Sequence, residues 1–174
     1  MTAPSSSTSA NSADATLRPA RIDDLASISR LLSDSHLPLD GVADALPDFA
    51  VAESEGSLVG VAGLERCGRY ALLRSVVVSE AWRSRRLGRA LVERVIADAD
   101  SRGVPSLYLL TTTAERYFPM FGFREITRGE VPDDVRETAE FQGACPASAV
   151  VMVRPCGGAP PTERNDASQR GEQV

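Results

Sequence analysis

Histidine is nearly absent from this chain: His36 stands alone among 174 residues. That excludes a two-histidine metal site, and any Ser-His-Asp arrangement would have to be built around this one ring. Cysteine is scarce as well. Cys67, Cys145 and Cys156 lie far apart, with neither CxxC spacing nor partner histidines, so no metal ligands are expected. No stretch approaches the roughly 18 uninterrupted apolar residues of a membrane span. The polar opening MTAPSSSTSANSAD has no apolar signal core, which makes a cytoplasmic location the expectation. A basic excess is also missing. The formal net charge of -5 provides no broad field for attracting nucleic acid or anionic lipid, so neither nucleic acid nor membrane is expected as a partner.

The chain is long enough for one domain with a substantial core, and its 43% apolar and 25% charged residues are ordinary for a globular protein. Small and polar residues dominate 1–15 and 155–174, which are expected to be disordered tails around a domain over 16–154. Within the domain the first strand is expected over Thr16–Pro19. A helix follows over Ile22–Ser33, where Ile22, Leu25, Ile28, Leu31 and Leu32 recur at helical spacing. Strands are expected at Phe49–Glu53, Leu58–Leu64 and Ala71–Val78, forming an antiparallel meander. A helix from Arg86 to Ser101 carries the apolar stripe Leu87, Leu91, Val92, Val95, Ile96 and Ala99. A central strand over Val104–Leu110, a short aromatic helix over Ala114–Met120 and an extended stretch over Phe123–Val131 come next. A long excursion over Pro132–Pro146 then leads to a last strand at Ala147–Arg154. This order predicts an α/β (α+β) fold with a mixed, mainly antiparallel sheet flanked by helices.

The segment VVVSEAWRSRRLGRALVERVIADA sets a branched strand directly before an arginine-rich turn and an amphipathic helix. First-turn amides of a helix lack partners within the helix, and the dipole favours an anion there. Gly88 permits close backbone approach, and Arg83, Arg85, Arg86 and Arg89 bring positive charge. Helical spacing would place Arg85 and Arg89 on one face. A phosphate ligand, an RNA backbone and a merely solvated basic helix start all remain open on these letters alone.

The turn resembles the acetyl-CoA motif of the GCN5-related N-acetyltransferase (GNAT) family: Arg or Gln, two residues, Gly, one residue, Gly or Ala. Here it falls on Arg83-Ser84-Arg85-Arg86-Leu87-Gly88, with Arg86 in place of the first glycine and a helical Arg86 expected. Tyr117-Phe118-Pro119-Met120-Phe121-Gly122-Phe123 is similar to the family's aromatic segment, with Phe118 where the familiar tyrosine stands. Val59 to Glu65, Tyr108 to Glu115 and Cys145 to Ala149 resemble N-acetyltransferases associated with arsenic resistance. The resemblance implies acetyl-CoA as cofactor, held by Val76, Val77, Val78, Arg83, Ser84, Arg85, Arg86, Leu87, Gly88, Arg89 and Ala90. Phe118 would be a wall against the thioester arm.

The implied reaction needs an uncharged amine, so a nearby carboxylate suits it as proton acceptor. Glu65, expected at a strand end, is the first base candidate, Glu115 an alternative, and Tyr117 a proton donor. His36, Glu65, Arg74, Thr112, Arg136 and Glu140 are the acceptor-binding candidates. Arg74 stands out as a charge within an apolar strand, and Arg136 and Glu140 as oppositely charged groups in one loop. Each also has a plainer reading as a solvated or ion-paired surface group. The implied function is N-acetylation of a small amine or amino-acid-like substrate, including a toxic organoarsenical analogue. Protein acetylation and non-catalytic acyl-CoA sensing are the alternatives, and a homodimer is left open.

Overall fold

The computed structural model describes residues 14–157. The tails expected over 1–15 and 155–174 lie almost wholly outside these residues. The short strand β1 (Thr16–Pro19) leads into a 3₁₀ turn, Ile22–Asp24, and then helix α1 (Leu25–Asp34). The helical pattern from Ile22 is thus interrupted at its start. Asp24 accepts the Arg21 N–H at 2.7 Å and is gripped by the Arg18 guanidinium, which tightens the first turn. A short helix α2 (Val42–Ala45) occupies the loop before β2 (Phe49–Ser54). Strands β3 (Ser57–Cys67) and β4 (Tyr70–Val78) form a long hairpin. Strand β3 runs three residues past the expected Leu64, so Glu65 lies inside a paired strand facing Leu72 rather than at a strand end.

Helix α3 (Leu87–Ser101) follows, then β5 (Ser106–Thr111), β6 (Arg124–Ile126), α4 (Asp133–Arg136) and β7 (Val150–Pro155). The expected helix at Ala114–Met120 is only a 3₁₀ turn at Phe118–Phe121. The Thr111 hydroxyl accepts the Ala114 N–H at 2.9 Å and holds the preceding residues in a turn, while Pro119 provides no N–H for a longer helix. Extended structure over Phe123–Val131 shrinks to β6, because Thr127 and Glu130 cap each other across the next turn. The excursion expected over Pro132–Pro146 contains α4 and a wide π turn at Glu140–Ala144.

The sheet order is β1-β2-β3-β4-β5-β7-β6, and every neighbouring pair is antiparallel except β4 with β5. This is the mixed, mainly antiparallel sheet the sequence predicts. Leu91, Val92, Val95 and Ala99 of α3 pack on one face, and Ile28 and Leu32 of α1 on the other. Gly60 lets α3 lie close, since a Cβ there would sit 2.8 Å from Leu91 Cδ1. Among the described residues no helix is long and apolar enough to cross a membrane.

Two irregularities of β4 open the fold. Pairing with β5 is confined to Ala71–Leu107 and Leu72–Tyr108, and the two strands part beyond that point. The β3 register shifts from Gly63–Arg74 to Val61–Val77, so Ser75 and Val76 face the single residue Ala62. Ser75, at φ 56°, is the left-handed residue of this bulge. Together they leave a wedge between β4 and β5 whose walls carry the site.

Candidate functional site

One side of the wedge is a cavity of about 420 Å³ lined by Val78, Trp82, Arg83, Ser84, Arg86, Leu87, Gly88, Arg89, Tyr117 and Met120. Its floor is the start of α3. Arg86 is left-handed at φ 60° and the helix begins at Leu87, which corrects the expectation of a helical Arg86. Ser84 is left-handed too, at φ 67°. Left-handed residues at such a turn build a concave nest of main-chain N–H groups, and the unpartnered amides opening α3 extend it. A Cβ on Gly88 would point into this cavity, 3.5 Å from Val78 Cγ2 and 3.7 Å from the Tyr117 hydroxyl.

The four arginines do different things. Arg83 donates to the Val78 carbonyl at 3.3 Å, Arg85 stacks 4.7 Å above the Trp82 ring, and Arg89 pairs with Glu93 at 2.7 Å. Arg85 precedes the helix, so it does not share a helical face with Arg89. Val76 belongs to the neighbouring cavity, Val77 is buried among the α1 contacts, and Ala90 sits half-buried in the next helical turn. Trp82 and Met120 are cavity residues that the motif alone does not single out. An aromatic ring beside a run of arginines is the available signal for Trp82.

On the other side lies a more enclosed cavity of about 280 Å³. His36, Arg74, Thr112, Phe118 and Glu140 line it, together with Cys145. The cavities adjoin: Val76 lines one and Val78 the other, as do Phe118 and its neighbour Tyr117. Phe118 is buried in T-shaped contact with Phe123, so it walls the enclosed cavity and not the cleft at the start of α3. Burial pushes the Tyr117 phenol above its ordinary range, which keeps its proton in place near neutral pH.

Arg74 is among the residues that line the enclosed cavity. Its side chain is 0% exposed, Nη1 donates to Glu65 Oε2 at 2.5 Å, and Nε reaches the Ser75 hydroxyl and Glu140 Oε1, each at 3.3 Å. Nη2 is buried with no hydrogen-bond partner among the described residues. Desolvation of an unpartnered guanidinium nitrogen is costly. Burial raises the Glu140 carboxyl above the ordinary glutamate range, and the neighbouring Arg74 charge only partly offsets this. Burial and Glu140 together push the Cys145 thiol up to about 11, so it is no thiolate at neutral pH.

The remaining candidates lie elsewhere. Glu65 backs Arg74 from β3 and does not line the cavity. Glu115 is exposed in the turn before the aromatic segment and lines neither cavity. Arg136 is exposed, pairs with Asp133 at 2.6 Å and also lies away from both. The sequence reading missed Ser75 as the bulge residue. Its one signal is a small polar side chain interrupting a branched strand.

The parted sheet, the bulged strand and the unpartnered amides at the start of the next helix together frame the two cavities. Residues 46–125 match the acetyltransferase (GNAT) domain family, and the chain has the α+β GNAT-like fold. It is 27% identical over 151 residues to an uncharacterized N-acetyltransferase of Chlorobaculum tepidum, covering 82% of this chain and 97% of that one. It is 29% identical over 142 residues to the amino-acid acetyltransferase of Ralstonia nicotianae, covering 72% of this chain and 30% of that protein. Among solved structures, the N-acetylglutamate synthase of Neisseria gonorrhoeae, complexed with coenzyme A and N-acetyl-glutamate, superposes with a TM-score of 0.70 at 22% identity. That likeness covers 81% of this chain and 35% of the synthase, so this chain spans about a third of the larger protein.

Proposed function

We propose that the protein transfers the acetyl group of acetyl-CoA to the amine of a small amino acid or amino-acid-like compound. Arg74, which is among the residues lining the enclosed cavity and whose buried Nη2 has no hydrogen-bond partner among the described residues, carries this reading of the acceptor. A substrate carboxylate would supply the missing hydrogen-bond acceptor and the charge the nitrogen faces. The Neisseria synthase, solved with coenzyme A and an acetylated amino acid, is consistent with both ligands.

The cleft at the start of α3 fits the donor. Main-chain N–H groups from Ser84 to Arg89 suit a pyrophosphate, Arg86 adds charge at the rim, and the open face of Gly88 leaves room for close approach. Acetyl-CoA, when bound, supplies an activated acetyl carbonyl. The main chain of β4 at Val76–Val78 lies between the two cavities and would orient the cofactor's arm, while Phe118 shapes the acceptor side. The protonated Tyr117 hydroxyl is the donor for the departing thiolate. His36 and Thr112 lie around the acceptor cavity. All of these groups come from one chain.

A toxic amino-acid analogue, including an organoarsenical one, presents the same amine and carboxylate and belongs to the same acceptor class. Calorimetry with acetyl-CoA, followed by thiol release over amino acids and their decarboxylated counterparts, tests the proposal. Saturable acetyl-CoA binding and faster thiol release with the carboxylate-bearing amines are expected. Binding without release would favour acyl-CoA sensing, and release only with a protein amino terminus would favour protein acetylation; either result overturns the proposal.

A further inference from the structure

Resting on the acetyl-transfer reading above, the geometry points to Glu140, from the π turn after α4, as the group that accepts the proton of the acceptor ammonium. Of the carboxylates considered at the sequence level, Glu140 is the one that both lines the enclosed cavity and is buried, at 5% exposure. Glu65 has its Oε2 held by Arg74 and stands behind it; Glu115 is exposed outside the cavity.

The same guanidinium organises both ends of the acceptor. Nη2 of Arg74 is buried and lacks an acceptor among the described residues, the place a substrate carboxylate would fill, and Nε is 3.3 Å from Glu140 Oε1. An amino acid bound to Nη2 therefore brings its ammonium within the reach of a carboxylate fixed to the same residue. Among the described residues Glu140 Oε2 receives only the Cys145 thiol, at 3.7 Å, and keeps capacity for a stronger donor. The charged and titratable groups facing Glu140 are Arg74 from β4, Glu65 from β3 and Cys145 from its own turn, with His36 across the cavity. Two carboxylates against one guanidinium leave this cluster one negative charge in excess, which favours an incoming ammonium.

The step balances without a further reactant. The ammonium gives one proton to Glu140. Its nitrogen lone pair then forms a C–N bond to the acetyl carbon as the C–S bond breaks. The second proton on nitrogen neutralises the departing thiolate, directly or through Tyr117, and Glu140 releases its proton to solvent with the product.

Glu140→Gln keeps the size and removes the basic oxygen. With the full chain, acetyl-CoA and the best carboxylate-bearing amine, kcat should fall about 100-fold or more, with acceptor KM altered only a few-fold. Acetyl-CoA affinity by calorimetry should be unchanged, and the acid limb of the kcat/KM profile should disappear. Carbon-13 carboxyl shifts of glutamate-labelled protein without ligand should contain one resonance that titrates above the ordinary glutamate range, and Glu140→Gln should remove it. Should that variant fail to fold, Glu140→Asp gives the same decision: a reduced kcat with the acid limb retained supports the assignment, and an unchanged kcat overturns it. Wild-type kcat and acid limb in a folded Glu140→Gln variant also overturn it, leaving the acetyl-transfer reading intact. A wild-type protein that acetylates no amine overturns both.

Discussion

Arg74 carries a charge that packing alone does not require. Its fully buried guanidinium satisfies Glu65, Ser75 and Glu140 and still leaves Nη2 unpartnered. Removing the charge would strand two carboxylates, a loss of about 3–5 kcal/mol for a buried pair. Arg74→Lys retains the charge but cannot reproduce the planar fork. It should raise KM for a carboxylate-bearing acceptor roughly 10- to 100-fold, the effect of one charged hydrogen bond, with a smaller change in kcat; steady-state kinetics checks this. Gly88→Leu probes the other cavity. Its Cβ would meet only ordinary contacts with Val78 and Tyr117, so the thermal midpoint should change little while acetyl-CoA affinity drops at least about 10-fold. Calorimetry beside a melting curve separates the two effects. At this scale Arg74 was legible because a charge within a branched strand needs a partner. Glu140 was legible only as one acid of a mixed loop, since its partner is on a strand far earlier in the chain. Glu115 and Arg136 looked equally suitable because sequence does not reveal which way a turn presents a side chain.

Among the elements, the start of α3 was anticipated as an anion site, but its backbone was not. Periodicity locates a helix through its apolar stripe and says little about the residue before the first turn. Arg86 occupies the left-handed conformation in which a motif glycine would be unstrained. A non-glycine residue there costs about 1–2 kcal/mol, and glycine's extra freedom when unfolded takes back roughly 0.5–1 kcal/mol. Arg86→Gly should therefore stabilise the protein by about 0.5–1 kcal/mol, a rise of roughly 2 °C in thermal midpoint, while Arg86→Val should lower it. The hairpin, the central strand and the helix stripe were readable because period-2 and period-3.6 patterns repeat over many residues. The parting of β4 from β5 and the Ser75 bulge were not, because they arise from pairing between strands.

Across the whole molecule, acid sensitivity has a defined source at the first strand and helix. The Arg18 guanidinium holds the Asp24 carboxyl below the ordinary range, against the opposing effect of burial. Its stabilising contribution is full above the unfolded aspartate value of about 3.9 and is lost as pH falls through the lower folded value. Asp24→Asn should flatten that part of the acid-unfolding curve, as followed by circular dichroism from pH 6 downward. Composition also favours a clean test of function. All 19 basic residues are arginine, so the chain offers no lysine amine to take up acetyl groups in the background. The most direct test of acetyl transfer to a carboxylate-bearing amine is to incubate the protein with acetyl-CoA and an equimolar mixture of amino acids, their decarboxylated counterparts and amino-acid-like toxins, and to identify products by mass. The account predicts single acetylation of one or a few carboxylate-bearing amines, dependent on protein and acetyl-CoA. Acetylation of the decarboxylated amines alone, or none at all with acetyl-CoA bound, would contradict it.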